Sequence, residues 1–383
     1  MTSIQQSTLG LARISRLSIA VAVLAASLGA RGDSAAAPAL EPRVLGIEEL
    51  FHLDQLPRLK SSIEVGCVSS WDRTGGNDDG FTGKYSFIRK EPDGLVIADL
   101  QGPGVIYRIH TPSPTDETIE FFFDGEAEPR ISLKISELFD GHHAPFLAPL
   151  VGGGVGGRYS YVPLAYQKSC KVLVKTKTFH FYQINYARFP ENCVLPSYTN
   201  PPSDDFMRGV EKAAALLRQT GADISSYLVP EGTHLETKTV NASLAPGNTV
   251  PLFESSNPGR ILGLKVRPAS ALAGKDRAIL IRMTWDGAPE PAVLCPAGDF
   301  FGASFGDPAV HSLLLGTSND TDYAYFPMPY EHSARIELVS ERTSGPAIEV
   351  QAQVTFAQLG KAADEGRFYA HWHRENPTRE GIA

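Results

Sequence analysis

Residues 119–141 read IEFFFDGEAEPRISLKISELFDG, and residues 280–302 read LIRMTWDGAPEPAVLCPAGDFFG. At an offset of 162, Asp124-Gly125 falls on Asp286-Gly287, Glu128-Pro129 on Glu290-Pro291, and Phe139 on Phe301. A second block follows in the same order. YSYVPLAYQKSCKVLV from Tyr159 matches YAYFPMPYEHSARIEL from Tyr323 at an offset of 164, pairing Tyr159, Tyr161, Pro163, Tyr166 and Ser169 with Tyr323, Tyr325, Pro327, Tyr330 and Ser333. Two matching blocks separated by a two-residue slip mark a tandem duplication of one domain.

Each copy reads as all-β. Phe121 and Phe123 lead into Asp-Gly, after which Ile131, Leu133 and Ile135 alternate. Period-two alternation marks a half-buried strand, and Asp-Gly between strands favours a hairpin because both residues tolerate positive φ. Val172, Val174, Phe179, Phe181 and Ile184 supply further strands of this type. Short strands with a long central excursion suggest a double-sheet jelly roll rather than a propeller, which needs at least four blades. The fold expected is therefore two tandem jelly-roll-like β-sandwich domains with one bridging helix.

That helix is predicted over 204–220. Ser203 can cap it, Asp204 and Asp205 suit its positive end, and Gly221 suits its stop. Phe206, Val210, Ala213 and Leu217 form one apolar face, expected to pack on the flank of a sandwich. The organisation expected is a leader over 1–37, an N-terminal arm and polar loop over 38–95, and a first copy over 96–190. A Pro-rich linker with the helix follows over 191–261, then a second copy over 262–383.

The leader reads as a signal peptide. Arg13 and Arg16 precede a charge-free apolar run from Leu17 to Ala30, and small residues follow at Ala35-Ala36-Ala37. The run is too short to span a bilayer, so a secreted or periplasmic protein is expected, without a membrane partner once the leader is removed. The formal charge of −8, from 43 acids against 35 bases, argues against nucleic acid, which attracts basic faces. With 42% hydrophobic and 20% charged residues, the remainder is ordinary globular sequence. Cys67, Cys170, Cys193 and Cys295 show no C-x-x-C spacing. Cys170–Cys193 could bridge a short loop, and four buried free thiols is the competing expectation. No Cys/His cluster has zinc-ligand spacing, and no motif calls for a cofactor.

Several motifs have ordinary explanations. Gly152, Gly154 and Gly157 match G-x-G-x-x-G, but the strand-like, Pro-terminated stretch behind them predicts a flexible loop rather than a nucleotide site. Asp124 and Asp286 are expected to serve turns. His371-Trp372-His373 would put two imidazoles on one side of a strand without an identifiable third ligand, and His142-His143 is weaker still. No G-x-S-x-G elbow supports a hydrolase triad. The segment 69–80, SSWDRTGGNDDG, is different. Trp71 offers an aromatic face and Arg73 a planar fork, while Asp72, Asn77, Asp78 and Asp79 supply polar groups. Together these six residues suit a sugar, whose apolar face stacks while its hydroxyls bond charged groups. A polar turn is the alternative, and the spacing lacks the pattern of a calcium loop.

WDRTGGNDDG from Trp71, ADLQGPGVIYRI from Ala98, FFFDGEAEP and SYVPLAYQKSCKV resemble glycoside hydrolase family 172, formerly domain of unknown function 2961. DGAPEP, GDFFG from Gly298, YFPMPYEHSARIE from Tyr325 and FYAHWHRENP from Phe368 are similar to the same family module. The resemblance implies jelly rolls, homo-oligomers with sites near subunit junctions, and cleavage or transfer of fructofuranosides and arabinofuranosides by two glutamates. Retention of configuration requires those carboxyls ~5 Å apart. The family's glutamates lie in stretches like Gly-Glu-Gly-Asp and Gly-Thr-Glu-Asp-Tyr in a following jelly roll, and neither stretch occurs in the 383 residues. GTSNDTDY from Gly316 places Asp320 and Asp322 where the glutamate would be, and Asp299 with Asp322 is the nearest approach to an acid pair. No catalytic residue is assigned. The expectation is an exported carbohydrate-active protein, with a truncated enzyme or a non-catalytic binding protein or scaffold as alternatives.

Overall fold

Phe121, Phe123 and Ile131 in the first copy, and Ile281, Met283 and Trp285 in the second, are all exposed by 4% or less. They line the interiors of two β-sandwiches in a computed structural model that describes residues 44–112, 114–154 and 156–375. The leader and the last eight residues lie outside the described residues.

Each sandwich pairs a six-stranded sheet with a smaller one. The first large sheet runs Glu64–Ser69, Gln183–Arg188, Gly104–Thr111, Gly157–Ser160, Val151–Gly154, with Leu164–Tyr166 also on its third strand. The second repeats this order as Glu236–Leu244, Ile348–Ala357, Gly259–Arg267, Thr321–Ala324, Leu315–Ser318, with Met328–Tyr330 on its third strand. The facing sheets agree likewise. Gly94–Gln101, Ser169–Val174, Thr118–Phe123 and Ile131–Lys134 correspond to Thr249–Ser255, Ala334–Ser340, Ile279–Trp285 and Val293–Pro296. The first copy adds Arg89–Glu91 at one edge. Successive strands cross between sheets, as in a jelly roll. The duplication is thus a repeat of topology as well as of sequence.

The sandwiches extend beyond the bounds read from the sequence, starting at Glu64 and Glu236 rather than at residues 96 and 262. Both opening strands are sheet edges with mostly exposed side chains, so they carry no apolar alternation to detect. The glycine-rich stretch is a correction of another kind. Gly152 and Gly154 lie in one strand and Gly157 in its antiparallel partner, with Gly157 opposite Gly154. It is a hairpin rather than a flexible loop.

The long helix spans Asp204–Leu217, and the Ser203 hydroxyl accepts from the Phe206 N–H at 3.2 Å. It stops three residues before the predicted end. Its position also differs from a simple flank. Val210 and Ala213 join the first core, whereas Leu216 packs with Leu262, Tyr323 and Tyr325 of the second sandwich. The N-terminal arm crosses over as well. Leu59 N–H donates to Asp364 O at 2.7 Å and Gly366 N–H to Pro57 O at 2.8 Å, so residues before the first sandwich run beside residues after the second. Beneath them Arg260 and Glu365 form an ion pair, each side chain 5% exposed or less.

All four cysteines are free, including Cys170 and Cys193. Cys170 and Cys295 are buried, Cys193 is half-buried, and Cys67 faces solvent, so neither expectation for the thiols holds in full.

Candidate ligand site

The edge strand Glu64–Ser69 ends where the chain must turn back toward Arg89, and the connecting loop is built on its own carboxylates. Asp72 is 6% exposed. Its Oδ1 accepts from the Thr74 N–H at 2.9 Å and the Thr74 hydroxyl at 2.6 Å, while its Oδ2 accepts from the Asp78 N–H at 3.3 Å. These bonds, the Thr74 hydroxyl's first, hold the Asp72 carboxyl below the usual carboxylate range. Asp79 Oδ1 accepts from the Asp72 N–H at 2.8 Å, and its carbonyl accepts from the Ser70 hydroxyl at 3.2 Å. Asp78 takes the Thr82 N–H and hydroxyl at 2.8 and 2.5 Å. All three carboxylates therefore shape the loop.

What faces outward is the aromatic part. Trp71 is 53% exposed, and the Arg73 guanidinium lies 5.8 Å from its ring centroid. Arg73 is itself anchored, donating to Tyr85 O at 2.7 Å and to Ser69 O at 3.4 Å. Asn77 is exposed on the same loop. Phe81, 70% exposed, stands edge-to-face on Phe181 at 5.1 Å and adds a second ring that sequence reasoning missed. Its signal was weak because a lone Phe in a Gly-rich loop has no periodicity. The loop is also fastened to the sandwich, with His180 Nδ1 3.0 Å from Gly80 O.

Behind the loop lies the open face of the large sheet. Register sets Ser69, Gln183, His110 and Tyr159 in one row. Arg108 donates to Gln183 Oε1 at 2.8 Å and Asn185 Oδ1 at 3.0 Å. Burial, with the Arg108 charge, lowers the His110 pKa and favours the neutral imidazole. The loop thus offers an exposed indole and a guanidinium, and the sheet row offers a second guanidinium, an imidazole, amides and hydroxyls. Such a surface can stack a ring and exchange hydrogen bonds with hydroxyls.

The remaining candidates serve other ends. Asp124 and Asp286 sit at turns with φ of 56° and also bind the backbone of a neighbouring turn. His371 and His373 lie parallel, centroids 6.5 Å apart, on an exposed extended segment that is not a strand. Its preceding residues, not the histidines, meet the sheet edge, which explains the difference. His142-His143 forms a two-residue strand, with His143 3.2 Å from Asp140. Asp299 accepts from Arg277 and Trp372 at 2.8 Å each, whereas Asp322 is buried and bonded by the Thr317 hydroxyl at 2.5 Å. The two acids share no partner.

Two family models match the chain, one described as GH172 first beta-sandwich domain over residues 61–205 and one as GH172 domain-like over residues 234–352. These bounds enclose the opening strands of both sandwiches. No curated protein matches the chain. Among solved structures, the major capsid protein P2 from Bacteriophage PM2 is 8% identical, with 76% of this chain and 97% of that chain covered at a TM-score of 0.20. The STIV MCP is 9% identical, with 77% and 96% covered at a TM-score of 0.21.

Proposed function

Because the chain belongs to glycoside hydrolase family 172, we propose that it is an exported carbohydrate-active protein whose Trp71 loop binds a furanoside. The observation that carries this reading is the solvent-facing indole on a loop whose own carboxylates fix it. A loop backbone already held in place loses little freedom on binding, so more of the indole's contact area is realised as affinity. Arg73 stands beside the indole, and exposed Asn77 lies on the same loop, to bond the ligand's hydroxyls.

Binding is placed ahead of turnover because a retaining mechanism needs two carboxyls ~5 Å apart. Asp72, Asp78 and Asp79 are committed to the loop, and Asp299 and Asp322 to separate partners. Family membership favours turnover as the second reading. Calorimetric titration with arabino- and inulin-type fructo-oligosaccharides tests binding. Incubation with 4-nitrophenyl α-L-arabinofuranoside tests hydrolysis. Saturable binding without nitrophenol release supports the first reading, and nitrophenol release by purified protein replaces it with the second. Export from the 1–37 leader is tested by N-terminal sequencing of protein recovered outside the cytoplasm. Self-association is tested by light scattering.

A further inference from the structure

The outer faces of the two large sheets carry matching rows of side chains. In the first sandwich the register aligns Ser69, Gln183, His110, Tyr159 and Gly152. In the second it aligns Thr239, Gln353, Lys265, Tyr323 and Gly316. A Cβ on Gly152 would stand 3.1 Å from the Tyr159 Oη, and one on Gly316 3.0 Å from the Tyr323 Oη and 2.5 Å from the Val310 carbonyl, so both glycines have packing reasons. The hydroxyl, glutamine and nitrogen-bearing side chain that complete each row have no such packing reason.

The two rows differ in what surrounds them. In the first copy, Arg108 holds Gln183 and the Trp71 loop follows Ser69. In the second, Leu244 and Thr249 are joined by a short turn closed by the Asn248 N–H on Ala245 O at 3.1 Å. No loop comparable to the Trp71 loop leaves this strand. Three members of the row, Lys265, Tyr323 and Gln353, line a hollow of about 430 Å³ together with Arg267, Thr321 and Gln351. A neighbouring hollow of about 440 Å³ shares Arg267, Asn319 and Gln351 and reaches Asn241, Asp320 and Glu349. With strands ~4.8 Å apart, the joined groove crosses about 14 Å of sheet.

Its chemistry is specific. The Arg267 and Gln353 side chains make no hydrogen bond or ion pair with any described residue. Gln351 donates to Asn241 at 3.0 Å, which leaves its carbonyl oxygen available. Lys265 is neutralised by Asp223 at 3.0 Å, and Asp320 and Glu349, each with one oxygen taken (by the Ser270 N–H and the Ser243 hydroxyl respectively) and one oxygen remaining, line the groove with Arg267. The groove therefore presents a guanidinium and amide N–H groups beside amide and carboxylate oxygens, without an excess of positive charge. Each hydroxyl of a sugar both donates and accepts, and this mixture satisfies both needs. A phosphate or uronate would meet the two carboxylates.

We propose that this groove is a second saccharide site, taking a neutral oligosaccharide of more than one ring across the sheet. It rests on the carbohydrate reading of the chain but not on Trp71. Calorimetry on the full chain with arabinotetraose and inulin-type fructotetraose decides it, using wild type, Trp71→Ala, Arg267→Ala and Gln353→Ala, with melting curves as folding controls. The expected result is two sites in wild type, one of which weakens at least tenfold in Arg267→Ala and in Gln353→Ala but persists in Trp71→Ala. Loss of all binding in Trp71→Ala, or undiminished binding in both groove variants, overturns the groove and leaves the Trp71 site standing. Absence of binding to wild type overturns both. Tighter binding of tetragalacturonate than of either neutral probe overturns the neutral assignment.

Discussion

Asp124 and Asp286 occupy the same place in the two sandwiches, each at φ 56°, and each carboxylate reaches across to the turn that opens the next strand of its sheet. Asp124 Oδ1 accepts from the N–H groups of Lys168 and Ser169 at 2.7 and 3.4 Å. Asp286 Oδ1 accepts from those of Glu331, His332 and Ser333 at 2.9, 2.6 and 3.2 Å. The Asp-Gly pair makes the turn feasible, and the carboxylate ties two turns together. This second role explains why Asp rather than Asn stands in both copies.

Replacing Asp286 by Ala should cost on the order of 2–4 kcal/mol, because several backbone donors and Arg367 lose a charged acceptor. Burial pushes its carboxyl up, but the His332 N–H, Arg367 and the Ser333 and Glu331 N–H groups together hold it below the usual carboxylate range. The folded pKa is thus depressed. The stabilisation is present above the unfolded value and is lost as pH falls through the folded one. Urea midpoints of wild type and Asp286→Ala should accordingly differ most above pH 5 and draw together as pH falls below the ordinary carboxylate range. A constant difference across that range would contradict the ionic role.

Asp322 carries the opposite sign. Burial raises its carboxyl to about 6, outweighing the Thr317 hydroxyl, and Asp320 adds to the rise. The folded state therefore favours the protonated acid, and stability falls as pH rises from about 3.8 to about 6. Asp322→Asn removes that penalty while keeping an acceptor for Thr317. It should gain on the order of 1–3 kcal/mol at pH 7.5 and nothing at pH 3.5, as read by denaturant midpoints. Destabilisation at pH 7.5 would mean that the carboxylate has a partner in solution.

The sugar reading makes a paired prediction on the Trp71 loop. Trp71→Ala should weaken oligosaccharide binding roughly tenfold or more with an unchanged melting temperature, since the ring is half exposed. Asp72→Ala should weaken binding similarly although Trp71 is retained, because the Thr74 and Asp78 N–H groups lose their acceptor and the loop no longer holds its shape. Equal binding by Trp71→Ala and wild type would reduce the loop to a turn.

The duplication was legible because its markers are local: an Asp-Gly turn at positive φ, alternating apolar residues, and tyrosines packed on sheets. The helix start was legible for the same reason, in the Ser203 cap. The edge strands Glu64–Ser69 and Glu236–Leu244 were not, since an exposed edge strand has no buried face to impose a pattern. The loop acids Asp72, Asp78 and Asp79 read as ligand groups, yet they bond the loop's own backbone and threonines, a choice that depends on turn geometry. Nor could sequence show that Gln183 and Gln353 are equivalent. That equivalence appears only through the strand register.

Arg260 and Glu365 offer the last test, on the joint between the chain's two ends. Arg260 leaves the strand Gly259–Arg267, pairs with buried Glu365, and donates to Asp54 O at 3.4 Å. Glu365 Oε2 also accepts from the Ala362 N–H at 2.9 Å. Glu365→Ala would leave a guanidinium buried without its counter-charge and should cost about 3–5 kcal/mol. Replacing both residues, Arg260→Met with Glu365→Leu, removes the charges together and should recover most of that loss, because a buried pair gains little net energy over apolar packing. Denaturant midpoints for both single variants and the double variant give the coupling directly. A double variant as unstable as the sum of the singles would show that the pair does not interact across the two arms.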